Sequence, residues 1–576
     1  MKSQWRMISS DPELIRSLTD SLNCHPVTAT VLANRNIRSR QAAMHFLSPS
    51  LAHIRSPFSL KDMDRAVSRI VSAIVNKERI LIFGDYDADG ITATALLVDF
   101  FQYIGADASF YIPHRMTEGY GLKSRHITDV ALPRQVGLII TVDCGSNSHE
   151  AVLKATQAGI DVIITDHHNI AAPIPDAIAV VNPKRSDCHS GLEHLAGVGI
   201  AFFLLICLRK GLRDISFWKG IPEPNLKRCC DLVAIGTVAD IVPIVDENRV
   251  LTRAGLEIMT QGYRPGANAL IEASGIRDGY IDSDDIAFRL APRINAAGRI
   301  DNAGKAVELL LAPERESASP IALFLNQLNS KRQEIENKTF SDILMHISGK
   351  PLLSERKTMV LFYDNWHEGI LGIVASRLVK KFFRPTVLIT LQNGSARGSG
   401  RSIPGFDLHD GLMQCADTLE SFGGHAMAAG LSIKPEKIPE FREKFEAVVR
   451  NAGIDEQNAR LIEMDCELRF NMITDKLMDE LEELKPFGTG NTEPLFLANR
   501  IRVVQSLIIG GNHRKMVLKQ NNDAAGKVFQ AIQFNIDADK SPEKEFEEII
   551  FHLRWNRWNG NKTVQLIIED AVPGTS

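Results

Sequence analysis

Asp85, Asp87 and Asp89 close the segment RILIFGDYDADG, and Asp143 follows GLIITV. Asp166, with His167 and His168, follows DVIIT, and Asp240 ends LVAIGTVAD. Each of these four groups stands just past a short apolar run. Five or six carboxylates and two imidazoles in one place repel one another unless cations sit among them. Oxygen-rich ligands with one or two His favour a hard or borderline ion, Mn2+ or Mg2+, and a site this acidic could hold two.

The elements that would position these groups follow from the same runs. Short segments rich in Ile and Val predict buried strands of a parallel sheet. Helical stretches lie between them, which makes βα repeats. In an open α/β sheet the ligand site lies beyond the carboxyl ends of the strands, so all four groups are expected on one edge. Each group alone has a plainer explanation. Asp89 could cap the helix that begins at GITATALLVDFF, Asp143-Cys144-Gly145 could be a turn, and Asp240 could be another cap. Four strand ends together, one carrying adjacent His, argue for a metal centre.

DYDADG, VDCG, DHH and VAD, in this order, resemble the DHH phosphoesterases. IPHRMTEGYGL, LAGVGIAF, RLAPRINAAGR, GSGRS, FGGHAMAAGLS and PFGTGNTEPLF are similar to segments of the RecJ family of single-strand-specific exonucleases. The resemblance runs from about Val27 to near the C-terminus. It implies metal-dependent 5′-to-3′ hydrolysis of single-stranded DNA to mononucleotides, in recombination and repair. It also implies that Asp143 bridges two ions, that Asp87, Asp89, His167 and Asp240 are further ligands, and that Asp85 is a ligand or lies just behind them. Asp166 is expected to orient His167 from behind, as metal-bound imidazoles generally require. His168 is then free to meet the scissile phosphate. Arg115, Arg293, Arg299, Ser399 and Arg401 are the candidates for the 5′-phosphate, since an arginine fork bonds two oxygens at once. His425 belongs to the motif of the accessory domain that faces the catalytic one. Some relatives carry a His where this chain has Phe83, which leaves one fewer nitrogen ligand; weaker binding there would demand millimolar metal or favour Mn2+ over Mg2+. By resemblance the partners are single-strand-binding protein and a RecQ-type helicase, and the chain is a monomer.

The rest of the chain is consistent with this. At 576 residues it is too long for one core. The eight Cys include no CxxC pair, which argues against a zinc ribbon and for the reducing cytoplasm. No segment is long and apolar enough to predict a membrane span. The net charge of −4 averages over unlike surfaces. From Gly369 to Phe406 there is no acidic residue, but there are Arg377, Lys380, Lys381, Arg384, Arg397 and Arg401. That local basic field, ending in GSGRS, predicts phosphate binding.

Five regions are expected. Residues 1–65 form a segment packed on the catalytic domain, 66–282 a parallel-sheet catalytic domain, and 283–350 a helical connector. Residues 351–456 form a second α/β domain that binds nucleic acid, and 457–576 a β-barrel of the OB type. In the barrel Trp555 and Trp558 alternate with Arg554 and Arg557, a pattern suited to base stacking and phosphate contact. Two other classes fit less well. A small-substrate DHH phosphodiesterase would lack the tail and the GSGRS segment. A non-catalytic scaffold would lack the acidic groups.

Overall fold

The computed structural model describes residues 4–170, 173–277, 279–348, 355–392, 394–454, 461–521, 526–536, 543–558 and 561–574. Its catalytic sheet is wholly parallel. In space the strands run Ala108–Tyr111, Ile80–Gly84, Leu138–Val142, Asp161–Thr165 and Ala179–Val181. Ile80–Gly84 and Leu138–Val142 are buried at every position, because helices cover both faces. Ala88–Tyr103, Gly197–Asp214 and Cys230–Ala239 pack on one face. Ile127–Ala131 and His149–Gln157 pack on the other. From Ile80–Gly84 the chain goes outward to Ala108–Tyr111, then returns to the opposite side at Leu138–Val142. The strand order therefore reverses between Ile80–Gly84 and Leu138–Val142, and a crevice opens at their carboxyl ends.

The connector ends in a helix of 34 residues, Arg315–Ser348, about 50 Å long at 1.5 Å per residue. The second α/β unit has the strand order Ser421–His425, Ala428–Ile433, Ser395–Arg401, Thr386–Gln392 and Met359–Phe362. Helix Leu371–Phe382 packs on it. In the tail, strands Phe496–Ile509, His513–Gln520, Val528–Gln533, Asn561–Pro573 and Glu545–Trp558 follow one another, and the last pairs back with the first. That pairing closes a five-stranded barrel. Among the described residues no helix is long and apolar enough to cross a membrane.

The N-terminal expectation needs correcting. Leu18, Val27, Val31, Leu32 and Ala43 share a core with Phe470, Leu477, Leu481 and Phe496 of the barrel region. Gln4–Met7 pairs in parallel with Leu461–Met464. The reason is the apolar character of VTATVLA in helix Pro26–Asn34, which is buried almost all round. The stripe Leu477, Met478 and Leu481 of helix Asp475–Glu483 supplies it with an apolar partner. The segment meets the catalytic domain from Phe46 onward, where Arg249 lies over the Phe46 ring at 3.8 Å and Arg253 bonds the Leu47 carbonyl, and Leu51 and Ile54 join its core.

Candidate metal centre and phosphate pocket

The four acidic groups meet in the crevice. Asp87 caps helix Ala88–Tyr103, its Oδ1 accepting from the amides of Asp89 (3.0 Å) and Gly90 (3.1 Å). Asp89 lies in the first turn and accepts from a different helix, through the amides of Gly197 (2.6 Å) and Val198 (2.9 Å). Two glycines allow that approach. A Cβ at Gly197 would sit 2.7 Å from the Asp143 Cβ, and one at Gly236 would sit 2.8 Å from Asp89 Oδ1. Asp143 takes a left-handed turn at φ 59° directly after its strand, which Asp tolerates better than most residues. Asp240 is the C-cap of helix Cys230–Ala239.

His167 joins the groups. Its Nε2 stands 3.1 Å from Asp143 Oδ1, 3.6 Å from Asp240 Oδ2 and 3.9 Å from Asp89 Oδ2. Three ligand sets are close enough to hold an ion: Asp85, Asp87 and Asp143; Asp89, His167 and Asp240; and Asp143 with His167 and His168. Asp143 belongs to two of them.

The donor atoms fit a cation. Asp85 Oδ1, Asp143 Oδ1 and both ring nitrogens of His167 are buried with no hydrogen-bond partner. Orphaned buried polar atoms of this kind are rare and costly. The 3.1 Å between His167 Nε2 and Asp143 Oδ1 is close to an octahedron edge for ligands about 2.1 Å from a shared ion. Burial, then repulsion from neighbouring Asp, pushes the Asp89 carboxyl up to about 7 and Asp240 up to about 8, and raises Asp85 and Asp143 well above the usual range. Burial, together with the neighbouring His168, lowers His167 to about 3, so its ring is neutral, the form that binds metal.

Asp166 does not stand behind His167, as the resemblance suggested. Its Oδ1 lies 2.8 Å from His168 Nδ1 and accepts from the His167 and His168 amides, while Oδ2 accepts from the Ser146 amide. The DHH turn folds the first His toward the carboxylates, so only the second ring can reach back. Burial opposes charge on His168. The Asp166 bond and the field of Asp166, Asp240 and Asp85 outweigh it, and the pKa rises to about 9. Tyr120, not singled out in the sequence, completes this arrangement. Its hydroxyl donates to the Asp143 carbonyl at 3.1 Å and lies 3.0 Å from His168 Nδ1. It sits inside the quoted PHRMTEGYGL segment, which was the one available signal. Across the cleft the rings of His168 and His425 lie 6.4 Å apart and nearly parallel. Phe83 is turned away from the site, packed against Tyr111 and His126.

A basic pocket adjoins the acids. Arg115 stacks over Tyr86, 4.8 Å from the ring centre. Arg299 reaches from the connector and donates to the Gly369 carbonyl at 2.9 Å. Arg401 comes from the second α/β unit, its Nη1 3.3 Å from Ser399 Oγ and bonded to the Gly400 carbonyl at 2.7 Å. Gly372 leaves room for it, since a Cβ there would meet Arg401 Nη2 at 2.6 Å and Ser399 Oγ at 3.0 Å. Burial, then Arg115 and Arg401, lowers Arg299 to about 9. Among the described residues no carboxylate lies within ion-pair distance of any of the three. Arg293 is engaged elsewhere, bonded to Asn326 Oδ1 (2.9 Å) and the Arg289 carbonyl (2.6 Å).

The tail residues behave differently. Arg554 grips Glu493 through two bonds, of 2.8 and 2.5 Å, and Asp284 at 3.0 Å. Arg557 lies 3.4 Å from Glu482 and over the Tyr280 ring. Trp555 packs against the barrel core, with Lys562 over its ring. Strand alternation puts Trp555 and Arg557 on one face and Arg554 on the other. Trp558 closes the strand, and its side chain is outside the described residues. The described side chains are therefore divided between two faces, and both arginines lie against carboxylates.

Three family models match in chain order: "DHH family, N-terminal domain" over residues 79–237, "DHHA1 domain" over 355–451 and "RecJ OB domain" over 464–570. The single-stranded-DNA-specific exonuclease RecJ of Bacillus subtilis is 36% identical over 99% of this chain and 71% of its own length. That of Salmonella typhimurium is 36% identical over 95% of this chain and 96% of its own. The crystal structure of Thermus thermophilus RecJ with Mn2+ superposes with a TM-score of 0.83 at 29% identity, covering 100% of this chain and 80% of that one. Fold and site define a DHH phosphoesterase. Within that class, the chain belongs to the RecJ family of single-stranded-DNA-specific exonucleases.

Proposed function

We propose that this chain hydrolyses single-stranded DNA from the 5′ end, releasing mononucleotides, with Mn2+ or Mg2+ as cofactor. A T. thermophilus RecJ structure with Mg2+, 28% identical with a TM-score of 0.78, stands beside the Mn2+ one. Asp85, Asp87 and Asp143 would hold one ion and Asp89, His167 and Asp240 the other, with Asp143 between them. Ions bound there lower the pKa of a water and neutralise phosphoryl oxygens. The remaining work falls to this chain's own groups. Neutral His167 supplies its lone pair. Asp166 and Tyr120 fix His168 through Nδ1, so that Nε2 of a charged ring can donate to the scissile phosphate. Arg115, Arg299 and Arg401 grip the terminal phosphate next to the acids and thereby set polarity.

The observation that carries this reading is the trio of guanidiniums without a carboxylate, joined to the acidic cluster through Tyr86. Tyr86 stands between Asp85 and Asp87 in the chain, and Arg115 lies over its ring. An unneutralised cationic pocket next to a dense anionic one suits a ligand with a terminal phosphate and cations beneath it. The reading extends to roles in recombination and repair, and to single-strand-binding protein and a RecQ-type helicase as partners of a monomer, on family resemblance. A cytoplasmic location is supported by the eight free cysteines. The test is digestion of oligonucleotides labelled at either end, single- or double-stranded, with Mn2+ or Mg2+. Mononucleotides should appear first from the 5′ label of single strands. Release from the 3′ label, or equal attack on duplex, would sink the proposal.

A further inference from the structure

Ile241 follows Asp240 and takes φ 62°, a left-handed conformation. Helices often end this way, but with Gly or Asn at that position. A β-branched residue there is a true outlier, because its Cβ crowds the backbone. Of the non-glycine residues described at positive φ, Ile241 alone is β-branched. Nor is the strain offset by burial, since the side chain is 73% exposed. A strained backbone and an uncovered apolar side chain both cost stability here. Such costs cluster where a site needs them.

The position says what it could serve. Asp240 Oδ2 lies 3.6 Å from His167 Nε2, so the turn begins at the metal centre. Three residues after Ile241 the chain is anchored to the barrel side, the Ile244 amide donating to the Thr489 carbonyl at 2.7 Å. Cβ atoms at Gly488 and Gly490 would touch Ile244 and Val245 respectively. Ile241 thus stands outward on a braced turn between the acids and the barrel. A DNA strand offers one apolar surface to such a side chain, the face of a base.

We infer that Ile241 is a substrate-contact residue, its side chain seated against a nucleobase beside the scissile phosphate and paid for by backbone strain. This rests on the nuclease reading above. The test compares wild type with Ile241→Gly, Ile241→Asn and Ile241→Val, each loaded with Mn2+, on 5′-phosphorylated single strands. An abasic site is placed at each of the first three nucleotides in turn. Ile241→Gly should melt several degrees higher, while kcat/KM on intact strands falls about tenfold, mainly through KM. Ile241→Val should keep near-normal kcat/KM. In wild type, one abasic position should lower kcat/KM about tenfold, and in Ile241→Gly the intact and abasic strands should be cut alike. Equal abasic ratios in wild type and Ile241→Gly overturn the contact. So does a higher Tm with unchanged kcat/KM. An inert wild type would instead overturn the nuclease reading and leave the rise in Tm as the measure of the strain.

Discussion

Asp166 Oδ1 lies 2.8 Å from His168 Nδ1, and the carboxylate is fully buried while the imidazole faces the cleft. Asp166 therefore acts on the ring that faces the cleft, and not on the ring that stands among the carboxylates. Asp166→Asn should lower turnover about 10–100-fold, the usual effect of losing such an orienting partner. Mn2+ affinity, read by calorimetry, should change little. A parallel loss of metal affinity would mean that Asp166 works through His167 after all.

Asp143 is shared by two ligand sets and sits at positive φ. Asparagine tolerates that backbone, so Asp143→Asn removes charge without adding strain. Hydrolysis should fall by more than about 100-fold. The number of Mn2+ bound per chain should drop by at least one, while the melting profile stays cooperative. Unchanged stoichiometry with lost activity would make Asp143 a substrate contact rather than a bridge.

Much of this site can be read along the chain because each acid follows its own apolar run within a few residues. Asp85, Asp143 and Asp166 are announced locally by the strands ILIFG, LIITV and DVIIT, and parallel-sheet topology does the rest. What cannot be read is which partner each acid meets. Asp89 accepts from Gly197 and Val198, 108 and 109 residues away. Nothing near Asp89 signals that contact. Tyr120 is similar, since its bond to Asp143 exists only once two loops are stacked. The basic tail misleads for the same reason. Arg554 looks free in RWNRWN, but Glu493 and Asp284 reach it from elsewhere.

The raised carboxyls give metal dependence a pH signature. An acid whose folded pKa exceeds its unfolded value, near 4, is ionised only in the unfolded chain at intermediate pH. Stability then falls from about pH 4 upward, until the folded group also ionises. With Asp89 near 7 and Asp240 near 8, the loss spans the range up to about pH 8. His168, raised to about 9, acts in the same direction, because its stabilisation is lost as pH rises through that value. Chelator-treated protein should therefore melt lower at pH 8 than at pH 6. Added Mn2+ should raise Tm more at pH 8, where fewer protons compete for the ligands. Asp240→Asn should flatten the slope. A flat profile in wild type would count against the clustered acids.

Gly372 offers a way to disturb the basic pocket proposed to hold the terminal phosphate without removing a charge. A methyl group there would meet Arg401 Nη2 at 2.6 Å, and the end of a side chain can yield. Gly372→Ala should displace the guanidinium and cut kcat/KM on 5′-phosphorylated strands about tenfold. The effect on 5′-hydroxyl strands should be much smaller. Arg401→Ala should lose more, because a charge-assisted bond is worth about 1.5–3 kcal/mol. Equal losses on both substrates would place Arg401 in the fold or in the chemistry, and not at the chain end.

The shared core of the N-terminal helices and the barrel region changes what a truncation should do. All the acidic strand ends lie before residue 458, so removing the tail would leave the chemistry in place. It would also strip the cover from Leu18, Val27, Val31 and Leu32, which bury against Leu477, Leu481 and Phe496. Exposing several such side chains costs about 1.5–3 kcal/mol each and creates a sticky patch. Arg249 would keep the Phe46 carbonyl but lose its other acceptors, the carbonyls of Leu484, Pro486 and Glu483. Cutting near residue 458 alone should therefore give a protein that binds a hydrophobic dye and aggregates on a sizing column. Cutting both near residue 48 and near residue 458 should give a soluble, Mn2+-binding core that still cleaves short single strands. A well-behaved monomer from the tail truncation alone would show that the N-terminal helices find another partner.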